Sequence, residues 1–159
     1  EEDVDKEDVD KEDVDEEDTI NYLVDLHPAY EFEKYLYDEY TSTNGKTFLM
    51  GGKKYTNGFC GDATKSGNDE SNTVYFNIEG KYTKLSFIAG AVDKDLQNPA
   101  ELRIYTDGKL AQSIDINVGE LPSNYTVELN NAEQLKIEFV SSRNYYNIGG
   151  IGVAEVILE

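Results

Sequence analysis

The chain has 159 residues, of which 33 are acidic and 14 basic, and its formal net charge is −19. Binding to nucleic acid or to an anionic membrane needs clustered Lys and Arg, so this charge balance excludes both kinds of partner. The single cysteine, Cys60, excludes an internal disulfide and a cysteine-rich zinc site. The sequence also has no apolar run of the roughly 18 residues that membrane insertion requires.

Residues 1–18 form an acidic repeat of five residues. Its units begin at Glu2, Glu7 and Glu12, and the segment holds 13 acidic residues against two lysines. A period of five suits neither a helix nor a strand, so its valines form no apolar stripe. We therefore predict an acidic low-complexity linker over residues 1–18 and one globular domain over residues 19–159. Because the chain begins inside a repeat, we expect other domains of a longer parent protein as its neighbours.

The globular part opens with a segment that is compatible with a strand. Residues 20–26 would form this strand, and Pro28 should end it because proline lacks an amide donor. Residues 29–43 are rich in Tyr, Phe and Glu, and their periodicity leaves a short helix and an irregular aromatic loop both open. Beyond Gly45, frequent Gly, Asn-Gly and Asp-Gly indicate many short strands and few helices.

In six later segments apolar residues recur with a period of two, and most of them are separated by polar residues. Their apolar positions are Leu85/Phe87/Ala89, Leu102/Ile104, Ile114/Ile116, Tyr125/Val127/Leu129, Leu135/Ile137/Phe139 and Ala154/Val156/Leu158. Such strands have one buried and one wet face, and two stacked antiparallel sheets bury those faces. Asp107-Gly108 predicts a two-residue hairpin, because a type I′ turn needs positive φ at both central residues. The pattern alone predicts an all-β antiparallel sandwich.

Several motifs follow one another in an order that covers residues 20 to 159. They are Tyr22-Leu-Val-Asp-Leu26, Met50-Gly-Gly-x-x-Tyr55 with Gly58-Phe59, the Glu79–Tyr82 turn, the Ile104–Lys109 hairpin and the Ala154–Leu158 strand. In these motifs the chain resembles the NPCBM/NEW2 family of carbohydrate-binding modules. The resemblance implies a galactose-binding-like β-sandwich of the jelly-roll type. It also implies a non-catalytic carbohydrate-binding module of a secreted or cell-surface bacterial protein.

Two segments offer side chains suited to sugar binding. The candidates are Tyr35, Tyr37, Arg143, Asn144, Tyr145 and Tyr146. The first two belong to an aromatic cluster, and an aromatic face can pack against the C–H face of a sugar. The other four lie in a Gly-flanked loop that offers a guanidinium, an amide and two rings. The ordinary alternatives stay open: rings that cover the core with their hydroxyls in water, and a solvated turn.

The resemblance adds acidic candidates. Asp62 and Asp93 lie where the family has turns near its ligand face, although the histidine typical of the first turn is absent here. Galactose-binding-like domains often hold a structural calcium, which takes six to eight oxygen ligands. The resemblance therefore implies a calcium site built from Asp62, Asp93 and Asp95 with the carboxylate of Asp25 or Glu155. Asp is also common in turns without any metal.

Catalysis is not predicted. His27 and Cys60 are the only pair that could supply an imidazole base and a thiol nucleophile, and no motif orients them. We interpret Cys60 as a small residue in a tight turn. The leading function is thus a monomeric, glycan-binding domain. The alternative is a protein-interaction or spacer domain that has lost sugar binding, which the altered Gly61-Asp62-Ala63 turn favours. A hydrolase would need an acid pair in one cleft.

Overall fold

The computed structural model describes residues 19–26, 28–31, 47–65, 73–143 and 148–159. Within these ranges the chain forms twelve strands and one 3-10 helix. In chain order they are β1 (Asn21–Tyr22), the 3-10 helix Leu23–Asp25, β2 (Tyr30–Glu31), β3 (Phe48–Met50), β4 (Lys53–Tyr55), β5 (Gly58–Asp62), β6 (Thr73–Asn77), β7 (Lys84–Ala91), β8 (Ala100–Thr106), β9 (Lys109–Ile116), β10 (Ser123–Glu128), β11 (Gln134–Ser141) and β12 (Gly150–Leu158). No helix in the described ranges has the length and apolar character needed to cross a membrane. The predicted linker, residues 1–18, lies outside the described residues.

Two five-stranded antiparallel sheets make up the sandwich. In the first sheet, β12 pairs with β7 along one edge and with β1 and β5 along the other, and β10 lies beyond β7. The second sheet has the order β2-β6-β11-β8-β9. Strands β3 and β4 form a separate hairpin. The antiparallel sandwich predicted from the alternation is therefore confirmed.

The core between the sheets is built from the apolar positions that the alternation predicted. Leu85 and Phe87 of β7 are buried, as are Ile137 and Phe139 of β11. The ring of Phe139 meets the ring of Phe59 edge-on, with 6.2 Å between their centroids. Burying a side chain of this size stabilises a fold by about 1.5–3 kcal/mol. This shared layer is the main interaction that holds one sheet on the other.

The predicted hairpin between β8 and β9 is confirmed. Asp107 and Gly108 have φ values of 48° and 78°, as a type I′ turn requires. The Asp107 carboxylate also accepts hydrogen bonds from the backbone N–H groups of Glu133 and Gln134, at 3.0 and 2.9 Å. The turn is thereby attached to the start of β11 as well as to its own strands.

The first strand is shorter than predicted. Only Asn21 and Tyr22 pair with β12, and the chain then forms the 3-10 helix, closed by a hydrogen bond from the Leu26 N–H to the Leu23 carbonyl. Leu23 and Val24 are both buried. A strand would send these neighbours to opposite faces, whereas one helical turn lets both reach the core. His27 and residues 32–46 lie outside the described residues, so the choice between a helix and an aromatic loop there is not decided.

The outer face of the first sheet is covered, although each strand was predicted to have one wet face. Phe48, Met50 and Tyr55 of the β3–β4 hairpin form a second apolar cluster with Cys60 and Ala154. The rings of Phe48 and Tyr55 stack with their centroids 5.8 Å apart. Cys60 is 2% exposed and lies within β5, so its assignment to a tight turn was wrong. Strands of three residues are too short for alternation to reveal such a cover.

Part-way along strand β12, the alternation of its side chains between the two sides of the sheet is interrupted. Val153 packs in the main core, but Ala154 belongs to the second cluster. Glu155 has a φ of 49°, and the ladder with β7 is irregular at this point. A β-bulge adds one residue and reverses the side to which the following residues point. Val156 and Leu158 therefore return to the main core, and the prediction that Ala154 shares their face was wrong.

A substitution at Gly152 would test the close contact between the β3–β4 hairpin and β12. A Cβ at this position would lie 2.7 Å from Met50 Sδ and 2.7 Å from Phe48 Cε2. We expect Gly152→Ala to lower the free energy of unfolding by about 1–3 kcal/mol, because overpacking displaces these side chains. Urea unfolding measures it. The same change should cost less in a Met50→Ala background, and strictly additive losses would contradict the contact.

Candidate functional site

The loops between the sheets gather at one end of the sandwich, which we term the loop end. It consists of the Gly51–Gly52 turn, residues 92–99 between β7 and β8, residues 117–122 between β9 and β10, and the start of β12 at Gly150. Four predicted site residues lie there or on the adjoining strand ends: Asp62, Asp93, Asp95 and Arg143. The fold thus brings together residues that are far apart in sequence.

The Asp93 carboxylate attaches the β3–β4 hairpin to the sandwich. The N–H of Gly51 donates to Asp93 Oδ1 and the N–H of Gly52 donates to Oδ2, each at 2.7 Å. The two glycines have φ values of 59° and 77°, a turn geometry that lets successive amides converge on one anion. The Asp93 N–H in turn donates to the Leu49 carbonyl at 2.9 Å. The structure therefore gives this predicted sugar ligand a role in positioning the hairpin.

Asp95 makes an equivalent attachment to the start of β12. Its Oδ2 accepts a hydrogen bond of 2.7 Å from the N–H of Gly150. Asp62 lies opposite Gly150 on the β5 side of the same strand. Burial, and after it the charges of Asp95 and Asp62, raise the pKa of the Cys60 thiol above its usual value. The two carboxylates therefore flank one short backbone segment at the loop end.

Lys94 lies between these two aspartates in a left-handed backbone conformation, with a φ of 62°. A non-glycine residue there costs about 1–2 kcal/mol. The conformation is retained because both neighbours are fixed: Asp93 to the hairpin turn and Asp95 to β12. The side chain of Lys94 itself is exposed. The loop thus fixes the direction in which the Lys94 side chain leaves the backbone, a feature that no sequence motif indicates.

Arg143 follows the end of β11 and is exposed. Its loop returns to the sandwich at Ile148, whose N–H donates to the Ala63 carbonyl at 3.0 Å. The loop that begins with Arg143 is therefore anchored beside Asp62. The remaining predicted sugar-binding residues, Tyr35, Tyr37, Asn144, Tyr145 and Tyr146, lie outside the described residues, and their roles stay predictions.

The predicted calcium ligands fall into two places. Asp25 ends the 3-10 helix, which lies between β1 and β5 along the edge of β12, and Glu155 occupies the bulge of that strand. Asp95 binds at Gly150, about 16 Å from Glu155 along an extended strand. The structure does not bring Asp95 and Glu155 to one ion. Among the described residues no three acidic, His or Cys side chains form a metal-binding group, and calcium binding stays a prediction.

Several tyrosines on the described part of the chain have structural contacts. The Lys136 ammonium lies 4.7 Å from the ring centroid of Tyr105 and 5.7 Å from that of Tyr75, across neighbouring strands of the second sheet. Tyr125 stacks on Phe87 with 5.7 Å between centroids. These contacts favour the ordinary alternative for the rings concerned, in which they cover the sheets.

A cleft of about 280 Å³ opens at the loop end between the Asp93–Lys94 turn and residues 118–121. Its walls include Val92, Leu96, Val118 and Leu121. Two of these are unusually open for aliphatic residues, with exposures of 51% for Val118 and 76% for Leu121. No sequence motif predicts the cleft, because its walls come from three loops that are far apart in the chain. The only hint of the cleft in the sequence is the presence of two aliphatic residues, Val118 and Leu121, in the segment between two predicted strands.

Comparison with known proteins identifies the fold. The chain matches no protein-family model and no curated protein. A solved structure, CBM51 from Clostridium perfringens GH95 in complex with methyl-galactose, superposes with a TM-score of 0.69 at 14% identity, over 89% of this chain and 100% of that one. The fold is that of galactose-binding-like carbohydrate-binding modules.

Two larger structures contain the same fold. CBM51-2 with the INT domains of C. perfringens ZmpB, in complex with GlcNAc, matches with a TM-score of 0.67 at 15% identity, over 89% of this chain and 31% of that one. The tandem CBM51 modules of Sp3GH98, a family 98 glycoside hydrolase from Streptococcus pneumoniae, match with a TM-score of 0.67 at 14% identity, over 87% and 46%. The chain spans less than half of either structure. The predicted galactose-binding-like sandwich is confirmed, while membership of the NPCBM/NEW2 family stays a prediction.

The Cys60 thiol can report whether Asp93 holds the hairpin closed. We expect Asp93→Ala to accelerate labelling of Cys60 by a thiol reagent under native conditions by about tenfold or more, because bonds to a charged acceptor are each worth about 1.5–3 kcal/mol. The matched control is Asp107→Gly, which also removes a carboxylate that accepts two backbone amides but lies at the opposite end. Equal labelling rates in the two variants would contradict the attachment.

Proposed function

We propose that the domain is a non-catalytic carbohydrate-binding module of the NPCBM/NEW2 type, belonging to a secreted or cell-surface bacterial protein. The observation that carries this proposal is the match to an isolated CBM51 module over 100% of that module's length. A match across the whole of a binding domain means that this chain has the same scaffold. Fold alone does not assign a ligand, so the site must supply the argument.

The loop end has the chemistry that a polyhydroxylated ligand requires. Asp62 and Asp95 supply carboxylate oxygens on either side of Gly150, and a carboxylate has about four acceptor sites for hydroxyl donors. Arg143 begins the adjoining loop and carries five N–H donors in a planar fork. These acceptors and donors are mounted on a rigid sandwich, as hydrogen-bonding groups in a binding site need to be.

A second candidate function is supported by a specific observation. Leu49, Val118 and Leu121 are 45%, 51% and 76% exposed, and the last two line the cleft at the loop end. Exposed aliphatic side chains grouped in this way are typical of surfaces that bind another protein. A protein-interaction domain on a cell-surface protein is therefore the alternative to be tested alongside glycan binding.

Arg143 provides the test of glycan binding. We expect the folded domain to bind a subset of a glycan array and Arg143→Ala to weaken that binding by about tenfold or more, the range for losing hydrogen bonds to a charged group. Titration calorimetry gives the affinity. Lys109→Ala is the matched control, because Lys109 is an exposed cation beside the Asp107-Gly108 turn at the other end of the sandwich.

The titrations should be repeated in calcium and in EDTA, since the structural calcium is a prediction of its own. Binding that is lost in Arg143→Ala but retained in Lys109→Ala supports a glycan site at the loop end. A blank array with correctly folded protein would contradict the proposed function and favour the protein-interaction alternative.

A further inference from the structure

The walls of the loop-end cleft are aliphatic. Ala91, Val92, Leu96, Val118 and Leu121 line it, and no aromatic ring of the described residues does so. Flat sugar faces are usually recognised by aromatic rings, which offer a large planar surface. A cleft with aliphatic walls suits a small apolar group instead, and among sugar substituents that means a methyl-bearing one.

Three charged residues also line the cleft. Lys94, Asp93 and Glu120 line it together with the aliphatic residues. The ammonium of Lys94 can only donate hydrogen bonds, whereas the two carboxylates can only accept them. With two negative charges against one positive charge, the lining is unsuited to an anionic sugar such as a uronic acid. It favours a neutral substituent that has both a donor and an acceptor.

The acetamido group fulfils these conditions together. Its methyl matches the aliphatic walls, its carbonyl oxygen accepts from an ammonium, and its N–H donates to a carboxylate. A hydroxyl lacks the methyl, and the methyl of a deoxy sugar lacks both the donor and the acceptor. A sugar that lacks the acetamido group gives up these contacts together and is therefore bound less tightly.

The conformation of Lys94 points to the same function. Its left-handed backbone, φ 62°, is unfavourable for a lysine, while glycine would adopt it without strain. Strain of this kind is typical of binding sites, where the side chain is needed in spite of its backbone cost. Asp93 and Asp95 fix that backbone from both sides, so the direction in which Lys94 leaves the loop is set before any ligand arrives.

We propose that the loop-end cleft is a subsite for the acetamido group of an N-acetylated hexose, with Lys94 as its specificity-determining residue. The inference rests on the proposed function, because it assumes that the domain binds glycans. In it, Lys94 donates to the acetamido carbonyl, Glu120 accepts from the acetamido N–H, and Val118 and Leu121 cover the methyl.

Matched sugars test the proposal. Titration of the domain with N-acetylglucosamine against glucose, and with N-acetylgalactosamine against galactose, should give at least about tenfold tighter binding of the N-acetylated member, the range for one apolar group in a pocket. Saturation-transfer NMR should show its strongest transfer at the acetamido methyl protons.

Two glycine variants separate binding from folding. Lys94→Gly should lose the preference for N-acetylated sugars, while its Tm stays equal to or rises above that of the unmodified domain because the backbone strain is removed. Asn130→Gly is the matched control: Asn130 has a φ of 49° in the turn between β10 and β11, at the end remote from the cleft. It should leave the sugar preference unchanged. Leu121→Ser should weaken binding of the N-acetylated sugars without affecting the parent hexoses.

The outcomes distinguish this inference from the proposed function. Binding of hexoses with no preference for N-acetylation, or a preference that survives Lys94→Gly, would overturn the acetamido subsite and leave the glycan-binding function standing. No binding to any glycan by folded protein would overturn both. Tighter binding of the N-acetylated sugars that disappears in Lys94→Gly alone supports the subsite.

Discussion

Strand β12 is buried on both faces, and the other elements are arranged around it. It pairs with β7 along one edge and with β1 and β5 along the other. Ile151 and Val153 face the core of the sandwich, while Gly152 faces the β3–β4 hairpin. A side chain larger than hydrogen at Gly152 would meet the hairpin directly. The second cluster of apolar residues thus depends on one small residue in the middle of a central strand.

The same strand organises the loop end. The N–H of its first residue, Gly150, donates a hydrogen bond to the Asp95 carboxylate. Asp62 of β5 lies opposite Gly150 in the sheet. Because Asp93 is bound to the hairpin and Asp95 to β12, the loop between them has little freedom, and the strain at Lys94 can be maintained. Rigid attachment on both sides lowers the entropy that a ligand would have to remove on binding. The architecture therefore fixes the backbone from which the exposed Lys94 side chain extends.

Much of the fold could be predicted from the sequence because period-two alternation reflects burial on one side of a sheet. Leu85 and Phe87 or Ile137 and Phe139 follow it directly, and Asp107-Gly108 specifies its turn by local chemistry alone. Alternation failed where a strand has a bulge, as at Glu155, and where a face is covered by a distant hairpin, as at Cys60. Both depend on tertiary contacts that no window of the sequence contains.

The candidate site was less predictable for a related reason. The sequence predicts Asp93 and Asp95 as turn carboxylates beside a ligand face, and the fold does bring both to the loop end. Their hydrogen bonds to backbone amides could not be predicted, because the amides lie 41 to 55 residues away in the chain. Asp25 and Glu155 carry the same functional group yet lie elsewhere, since composition cannot rank acids by position. Lys94 and Leu121 gave little signal, because one positive φ and one exposed leucine become meaningful only once the cleft is formed.

The pairing of Tyr22 with Ile157 fixes where the described part of the chain enters the sandwich. It places the entry of the chain near Thr19 at the opposite pole from Gly150, about 26 Å away along the nine residues of β12. The Debye length at physiological ionic strength is about 8 Å, so the entry of the chain is roughly three Debye lengths from Gly150. A charge held at that entry point is therefore largely screened at the loop end.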